Sequence, residues 1–543
     1  MLFLFEKEKK KFNRIKYIMG IFAVVLLCLS VRLYFLQVHP SEMVVGRMQN
    51  HQTENIAQMK YNILDTNGEN MLAYNKEYVM VLDTEPFKLN NYEETLQDLM
   101  ALNFIMKSED KDFNYTGIMN EVGKHYYKIS KETFEKVNKL SNVKGIYTYV
   151  YDKIERKEAW EIGNLLSEIG ENGDVVEGSL EAELNKYLGE NLIPQSKFYL
   201  DDKAVYSDGS LDTNNENKNL KLTINNEWQN KVKEVLKRKD YDFLKNVGVV
   251  ISEAETGKIR VMAQKDDSQA NVNIGVEALG FEPGSIFKVV TEAVALDLGL
   301  IHTQDVFGCT GQICSKDGKP YGHGNLSVEE AIKISCNDVT AKVGGLAGYE
   351  KIMEYSEKMG LFNRVLNIQG ENRNEAAGIK PPKEAGINNI SIGQTIMVTP
   401  LQMAGVYNTI ANDGVYVKQT LVEEIINKDG KPVKKFKNEP VRVFSQTTAK
   451  ITQETLGKVI WEGSGFEAKV KGVEIGGKTG TSTGKDRADH GWFAGYFVKD
   501  EKKYSIVVIA PNIGTNHPDG RELGGGNTGA PIFRDIVTEL TSK

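Results

Sequence analysis

One apolar run near the start restricts what this chain can become. Residues 17–31 read Tyr-Ile-Met-Gly-Ile-Phe-Ala-Val-Val-Leu-Leu-Cys-Leu-Ser-Val without a charge, and beyond Arg32 the apolar character resumes from Leu33 to Val38. About 20 such residues cross a bilayer as one helix. An arginine near one end can reach the headgroup layer along its own aliphatic stem. The basic stretch Lys7–Lys16 precedes the run. Positive flanks stay in the cytoplasm, so the expected layout is a basic cytoplasmic tail over 1–16, a transmembrane anchor over 17–38 and an exported remainder. A cleaved signal peptide would end in small residues, and Leu33-Tyr-Phe-Leu-Gln-Val-His-Pro40 offers no such site. Burial of the run as an ordinary core helix fits poorly with six basic residues ahead of it.

A chain of 543 residues is too long for one core, so two or three domains are expected. The net charge of -7 argues against nucleic acid as a partner, because phosphate binding needs a basic surface. Residues 41–219 are mixed in character and form one candidate domain with no chemistry of its own. Strand-like pieces fall at Tyr78–Leu82 and Gly145–Tyr151, and helical stretches at Tyr92–Met106 and Lys131–Leu140. Asp65-Thr-Asn-Gly68 signals a turn, and the polar run Ser207–Asn219 reads as a linker or loop.

From residue 220 the pattern sharpens into a second domain, 220–543. A strand at Leu220–Ile224 leads to a helix, Asn225–Arg238, opened by an asparagine pair. Strands Val247–Ser252 and Ile259–Ala263 flank a turn, Glu255-Thr-Gly-Lys258. His490–Phe497 and Tyr504–Ala510 read as a hairpin, and Ala530–Leu540 as an amphipathic helix with Pro531 near its first turn. Helices between strands of a mostly antiparallel sheet give an α+β class.

Three short motifs carry chemistry. In Phe281-Glu-Pro-Gly-Ser285-Ile-Phe-Lys288, Pro-Gly marks the start of an apolar helix, and Ser285 and Lys288 share one face. A helix N-terminus favours an anion developing on the serine. A lysine beside it can take the hydroxyl proton if burial or a neighbouring cation lowers its pKa. Ser335-Cys336-Asn337 lies 50 residues on. Its hydroxyl can relay a proton, and its amide can bind a peptide group. Gly476-Gly-Lys478-Thr479-Gly480-Thr481 follows 143 residues later, where small residues let a substrate backbone lie along a strand edge. Alone, each has a bland reading: a capped helix start, a helix-end turn, a glycine-rich turn.

Together and in this order, SxxK, SxN and KTG resemble the signature of serine penicillin-binding proteins and β-lactamases. Residues 220–543 resemble the transpeptidase domain of the class B penicillin-binding proteins. Further matches are Thr256-Gly-Lys-Ile259, Gly322-His-Gly324, Gly393-Gln394 with Val398-Thr-Pro-Leu-Gln402, His490-Gly-Trp-Phe-Ala-Gly-Tyr496 and Ala530-Pro-Ile-Phe533. The resemblance implies a penicillin-binding-protein/β-lactamase-like domain, an antiparallel sheet flanked by helices, on an elongated pedestal behind one membrane helix. It implies Ser285 as nucleophile on the penultimate D-alanine of a stem peptide, and Lys288 as base. Ser335 would relay the proton, and Asn337 would orient the donor peptide. Lys478, Thr479, Gly480 and Thr481 would bind the substrate, with backbone N–H groups of Ser285 and Thr481 as oxyanion donors. The implied partners are peptidoglycan stem peptides, β-lactams, the bacterial cell membrane and a membrane glycosyltransferase. No cofactor is implied for catalysis. The pedestal departs from the family, because Tyr61–Gly68 lacks the arginines of its usual motif.

Asp305, Cys309, Cys314 and His323 crowd into 19 residues just before SxN. Two thiolates, an imidazole and a carboxylate can complete a tetrahedral zinc shell, which here would be structural. A Cys309–Cys314 disulfide, allowed by export, and two reduced thiols are the other readings. Two rival functions remain open. A β-lactamase would need a carboxylate such as Glu371 to activate water, and an idle wall-synthesis scaffold would need no chemistry at all.

Overall fold

The computed structural model describes residues 18–34, 51–90, 93–155, 180–207, 209–212, 216–277, 279–316, 319–367, 377–483, 489–514 and 517–542. Residues 18–34 are helical, with large apolar side chains such as Phe22 and Leu27 exposed. Among the described residues no helix is long and apolar enough to cross a membrane. The expected tail over 1–16, both ends of the expected 17–38 anchor, and Glu371 lie outside the described residues.

Two compact units form, each drawing on separate stretches of chain. The first takes residues up to Gln58, Lys76–Lys153 and Ile193–Thr213, and the second takes Met59–Asn75, Ile154–Leu192 and Asn214–Lys543.

In the first unit the strand Tyr74–Asp83 lies between Lys124–Ile129 and Ile146–Ile154. Side chains alternate across a strand, so the apolar run Val79–Leu82 feeds two cores. Met80 and Leu82 pack with Phe87 and with Leu99, Leu102 and Met106 of the helix Leu96–Met106. Val79 and Val81 pack with Tyr147, Phe198 and Tyr206. Ser210–Asp212 pairs with Gln195–Lys197 at the edge of a second sheet, so part of the polar run expected as a linker is a strand. Backbone pairing at an edge asks little of side chains, which is why composition did not show it. Glu54 is buried and accepts from Tyr147 Oη at 2.5 Å, Tyr126 Oη at 3.2 Å and Lys124 Nζ at 3.2 Å.

The second unit carries strands β1 (Gly248–Glu253), β2 (Ile259–Gln264), β3 (Val306–Cys309), β4 (Gly324–Ser327), β5 (Ile475–Thr483), β6 (Asp489–Lys499) and β7 (Lys502–Ala510). Its helices include α1 (Asn226–Leu236), α2 (Lys288–Asp297), α3 (Val328–Lys333), α4 (Asn337–Ala347), α5 (Pro400–Ala411), α6 (Gln446–Glu462) and α7 (Gly529–Thr541). The main sheet runs β2-β1-β7-β6-β5, antiparallel throughout. Both of its faces are covered, which explains the unbroken apolar runs in β1 and β7. Val249, Ile251, Ile506 and Val508 meet Val232 and Val235 of α1 and Phe533 and Ile536 of α7. Val250, Val507 and Ile509 join Val289 and Val290 of α2 and Leu401 and Tyr407 of α5.

The predicted turn at Asp65 forms. Its carboxylate accepts from Asn67 N at 2.7 Å and Glu69 N at 2.9 Å, and Gly68 takes φ +89°. The guanidinium of Arg260 donates to Thr66 Oγ1 at 2.9 Å and to Glu253 Oε2 at 2.6 Å. An arginine from β2 thus bonds to a turn whose own sequence lacks one.

Candidate active site

The Phe281–Lys288 turn is held by backbone rather than by side chains. Gly284 adopts φ +55°, and a Cβ there would lie 2.5 Å from Thr481 O on β5. Its N–H donates to Gly393 O at 2.9 Å, and a Cβ on Gly393 would lie 2.1 Å from Gly284 O. Only glycine tolerates such approaches, which gives Gly393-Gln394 its physical meaning. Phe281 exchanges backbone bonds of 2.8 and 3.0 Å with Val398. Thr399 and Gln402 then cap α5 reciprocally, with Pro400 in the first turn, so the Thr-Pro-Leu-Gln pattern is a capping box. From α5, Tyr407 Oη reaches Ile286 O at 3.0 Å. On the opposite side Trp492 Nε1 and Ser482 Oγ donate to Glu282 O at 3.0 and 2.6 Å. The structure makes these flanking motifs the buttress of one turn.

Ser285 sits in a single 3-10 turn, Gly284–Phe287, and α2 proper begins at Lys288. Ser285 is half-buried, whereas Lys288 is fully buried. Lys288 Nζ donates to Ser335 O at 2.6 Å, to Ser335 Oγ at 3.1 Å and to Asn337 Oδ1. Lys478, also fully buried, donates to the same Ser335 Oγ at 2.9 Å and to Thr479 O at 3.0 Å. Two lysines therefore converge on one hydroxyl. Burial lowers the Lys288 ammonium to about 7. Burial, then the neighbouring Lys288, pushes Lys478 well below the usual lysine range. A neutral amine near physiological pH is what proton abstraction from a serine requires.

Ser335 owes its position to a strained bend. A capping box of Ser327 and Glu330 starts α3, and α4 begins at Asn337. Between the two helices Ser335 takes φ +62°, a region that costs a non-glycine residue energy and is common at functional sites. On β5, Thr479 is buried beside Ser464 Oγ at 3.1 Å, and Thr481 is exposed while accepting from Gly525 N at 3.2 Å. A Cβ on Gly480 would lie 2.9 Å from Ile286 Cγ2 and 3.0 Å from Pro283 O. The expected oxyanion donors, Ser285 N–H and Thr481 N–H, thus belong to two segments in direct contact. All eight expected catalytic and substrate residues fall within the second unit.

Of the four side chains expected to cluster before SxN, the structure corrects one. Cys309, Cys314 and His323 do come together, but the fourth member is Cys336, with all four ligand atoms within 4.8 Å of one another. Asp305 instead accepts from His302 N at 2.7 Å, turning back on the turn before β3. Cys309 and Cys314 are free thiols in this structure. The missed residue was in plain sight as the middle of Ser335-Cys336-Asn337. Its signal was a cysteine inside a catalytic motif.

The penicillin binding protein transpeptidase domain matches residues 247–538, and the chain belongs to that family. Penicillin-binding protein PbpB of Mycolicibacterium smegmatis is 30% identical over 360 residues, covering 60% of this chain and 54% of the relative. The chain spans about half the length of the two PbpB relatives it matches. Stage V sporulation protein D of Bacillus subtilis is 26% identical over 581 aligned positions, covering 98% of this chain and 86% of that protein. Among solved structures, penicillin binding protein 3 of Mycobacterium tuberculosis complexed with ampicillin gives a TM-score of 0.59 at 20% identity, covering 90% of this chain and 95% of that one. The fold is that of the penicillin-binding transpeptidases.

Proposed function

We propose that this chain is a peptidoglycan D,D-transpeptidase working through a serine acyl-enzyme, and that β-lactams acylate the same serine. One observation carries the reading: two buried lysines, Lys288 and Lys478, meet at Ser335 Oγ beside the Ser285 turn. A structural pair would be expected to face carboxylates, whereas these face neutral oxygens and are pushed towards the amine form.

Lys288 accepts the Ser285 proton as Oγ attacks the carbonyl of the penultimate D-alanine. The developing oxyanion is held by the N–H groups of Ser285 and Thr481, each such donor contributing roughly 3–4 kcal/mol to the barrier reduction. Ser335 passes a proton to the leaving amine of the terminal D-alanine, and the C–N bond breaks. Asn337 holds the donor peptide, and Lys478 with Thr479 and Thr481 holds the terminal carboxylate along β5. An amine from a second stem peptide then resolves the ester, restoring the Ser285 hydroxyl.

The same reading makes residues 17–38 a membrane anchor, with the N-terminus cytoplasmic and the catalytic unit outside the bacterial cell membrane. The basic cluster before the run and the exposed apolar side chains of the 18–34 helix support it. A membrane glycosyltransferase that makes the glycan strands is the expected partner.

Labelling the full chain in detergent with a fluorescent penicillin, beside Ser285→Ala, tests the activity. A stable adduct that vanishes in the variant is expected. Rapid loss of label would move the reading to hydrolysis, and equal labelling of both proteins would remove Ser285 from the reaction.

A further inference from the structure

The four ligand atoms of Cys309, Cys314, His323 and Cys336 converge with no covalent bond between them. Cys309 Sγ lies 3.3 Å from His323 Nδ1, Cys314 Sγ lies 3.6 Å from Cys336 Sγ, and all four atoms fall within 4.8 Å. A tetrahedral zinc holds sulfur at about 2.3 Å and imidazole nitrogen at about 2.0 Å, so its ligand atoms lie roughly 3.5–3.8 Å apart. The cluster is close to that spacing. Cys309, Cys314 and Cys336 are buried, and three thiolates with one imidazole form a donor set that selects zinc over the hard cations.

Three of the four residues come from the β3–β4 hairpin and the fourth from the start of α4. Cys309 ends β3, His323 precedes β4, Cys314 lies in the loop between those strands, and Cys336 caps α4. The surroundings are arranged as a supporting shell. Asp338, buried at the start of α4, accepts from Thr310 N at 2.7 Å and from Gly311 N at 3.1 Å. Its own N–H donates to Cys314 Sγ at 3.4 Å, a bond that favours a thiolate there. Gly311 takes φ +83°, and a Cβ would lie 2.8 Å from Gly322 N, so the loop is drawn tight enough to exclude side chains.

We propose that these four residues bind one structural zinc ion, and that the ion locks the Ser335-Cys336-Asn337 bend in its active geometry. Cys336 sits between two residues that both contact Lys288 Nζ. Zinc therefore fastens the strained bend from behind, tying it to the β3–β4 hairpin at three further points. The thiols release their protons to solvent as the metal enters, so loading makes the folded unit dependent on metal and on reducing conditions. The site itself does not depend on the transpeptidase reading, whereas its coupling to acylation rests on it.

The test uses the full chain purified in detergent under reducing conditions, with elemental analysis, cobalt(II) substitution and fluorescent-penicillin labelling. One zinc per chain is expected, surviving dialysis. Cobalt should give the intense visible bands of a tetrahedral site and sulfur-to-cobalt charge transfer. Cys336→Ser should weaken metal binding roughly 10- to 100-fold or more, since even outer-shell changes cost that much. Asp305→Ala should leave the metal content unchanged. Chelation should slow labelling at least about tenfold, reversibly on adding zinc. A reduced, folded, metal-free chain that gains no cobalt bands would overturn the site. So would a Cys314–Cys336 disulfide in peptide mapping, or metal lost in Asp305→Ala but kept in Cys336→Ser. Stoichiometric zinc with labelling indifferent to chelation would overturn the coupling alone. Stoichiometric zinc with no labelling under any condition would instead count against the transpeptidase reading.

Discussion

Each unit holds a buried cluster of ionisable groups, and the two clusters are built in opposite ways. In the first, Glu54 is surrounded by groups that want a carboxylate: two tyrosine hydroxyls and the Lys124 ammonium. In the second, Lys288 and Lys478 share one serine hydroxyl, and neither is offered an opposite charge by its hydrogen-bond partners. A satisfied cluster holds a fold together. A cluster of like groups raises the energy of its charged forms and so keeps a reactive neutral amine available. The contrast separates structural from chemical burial without appeal to any motif.

The sharpest way to break this comparison is Lys288→Met. Acylation by penicillin should fall roughly 100- to 10,000-fold, the range for a positioned general base. The unfolding midpoint should not fall, because no buried counter-charge is left behind. Loss of stability with normal labelling would place Lys288 with Glu54.

A third buried group extends the same logic along α2. Glu292 lies one turn beyond Lys288, and among the described residues neither of its carboxyl oxygens has a hydrogen-bond partner. Burial, then Glu329, raises its carboxyl from 4.5 to about 8. The folded chain therefore keeps this proton where the unfolded chain has lost it. The resulting stability is complete below about pH 4.5 and is lost as pH rises through about 8. In Glu292→Gln the fall in thermal midpoint between those pH values should flatten, and an unchanged slope would assign the titration elsewhere.

Tyr147→Phe probes the satisfied cluster. Removing the 2.5 Å bond to Glu54 should cost about 1–3 kcal/mol in denaturant unfolding of the first unit, with penicillin labelling untouched. The smallest effect belongs to Ser335→Gly. Relief of φ +62° should stabilise by at most about 1 kcal/mol while labelling slows, because the hydroxyl joining both lysines is gone. A clear loss of stability would show that the bend is not strained.

Much of the second unit was legible because its signals are local. Ser285 and Lys288 are three residues apart, Thr399 and Gln402 cap one helix, and the apolar runs of β6 and β7 are strands whatever surrounds them. Cys336 was harder, since its companions lie 13 to 27 residues upstream and only the packing of α4 against the hairpin unites them. Asp305 is near the thiols in sequence, whereas its carboxylate has a closer partner in His302 N. The parallel pairing of Ile63–Leu64 with Leu220–Lys221 was invisible for the same reason, because two residues separated by more than a hundred others leave no periodic trace. In the first unit a short edge strand such as Ser210–Asp212 carries no pattern to read.

The glycines around Ser285 have a consequence for how this chain can vary. A Cβ on Gly284 would lie 2.5 Å from Thr481 O, one on Gly393 2.1 Å from Gly284 O, and one on Gly525 2.2 Å from the carbonyls of Gly480 and Trp492. Five stretches of main chain meet there with no room for an added methyl group. On the proposed reading, any substitution that reshapes the cleft by bulk at these points would prise the Ser285 turn from β5 and disable acylation by stem peptide and by β-lactam alike. On that reading, variation that tells one acyl donor from another is left to side chains at the rim of the cleft, which can change without moving the backbone beneath them.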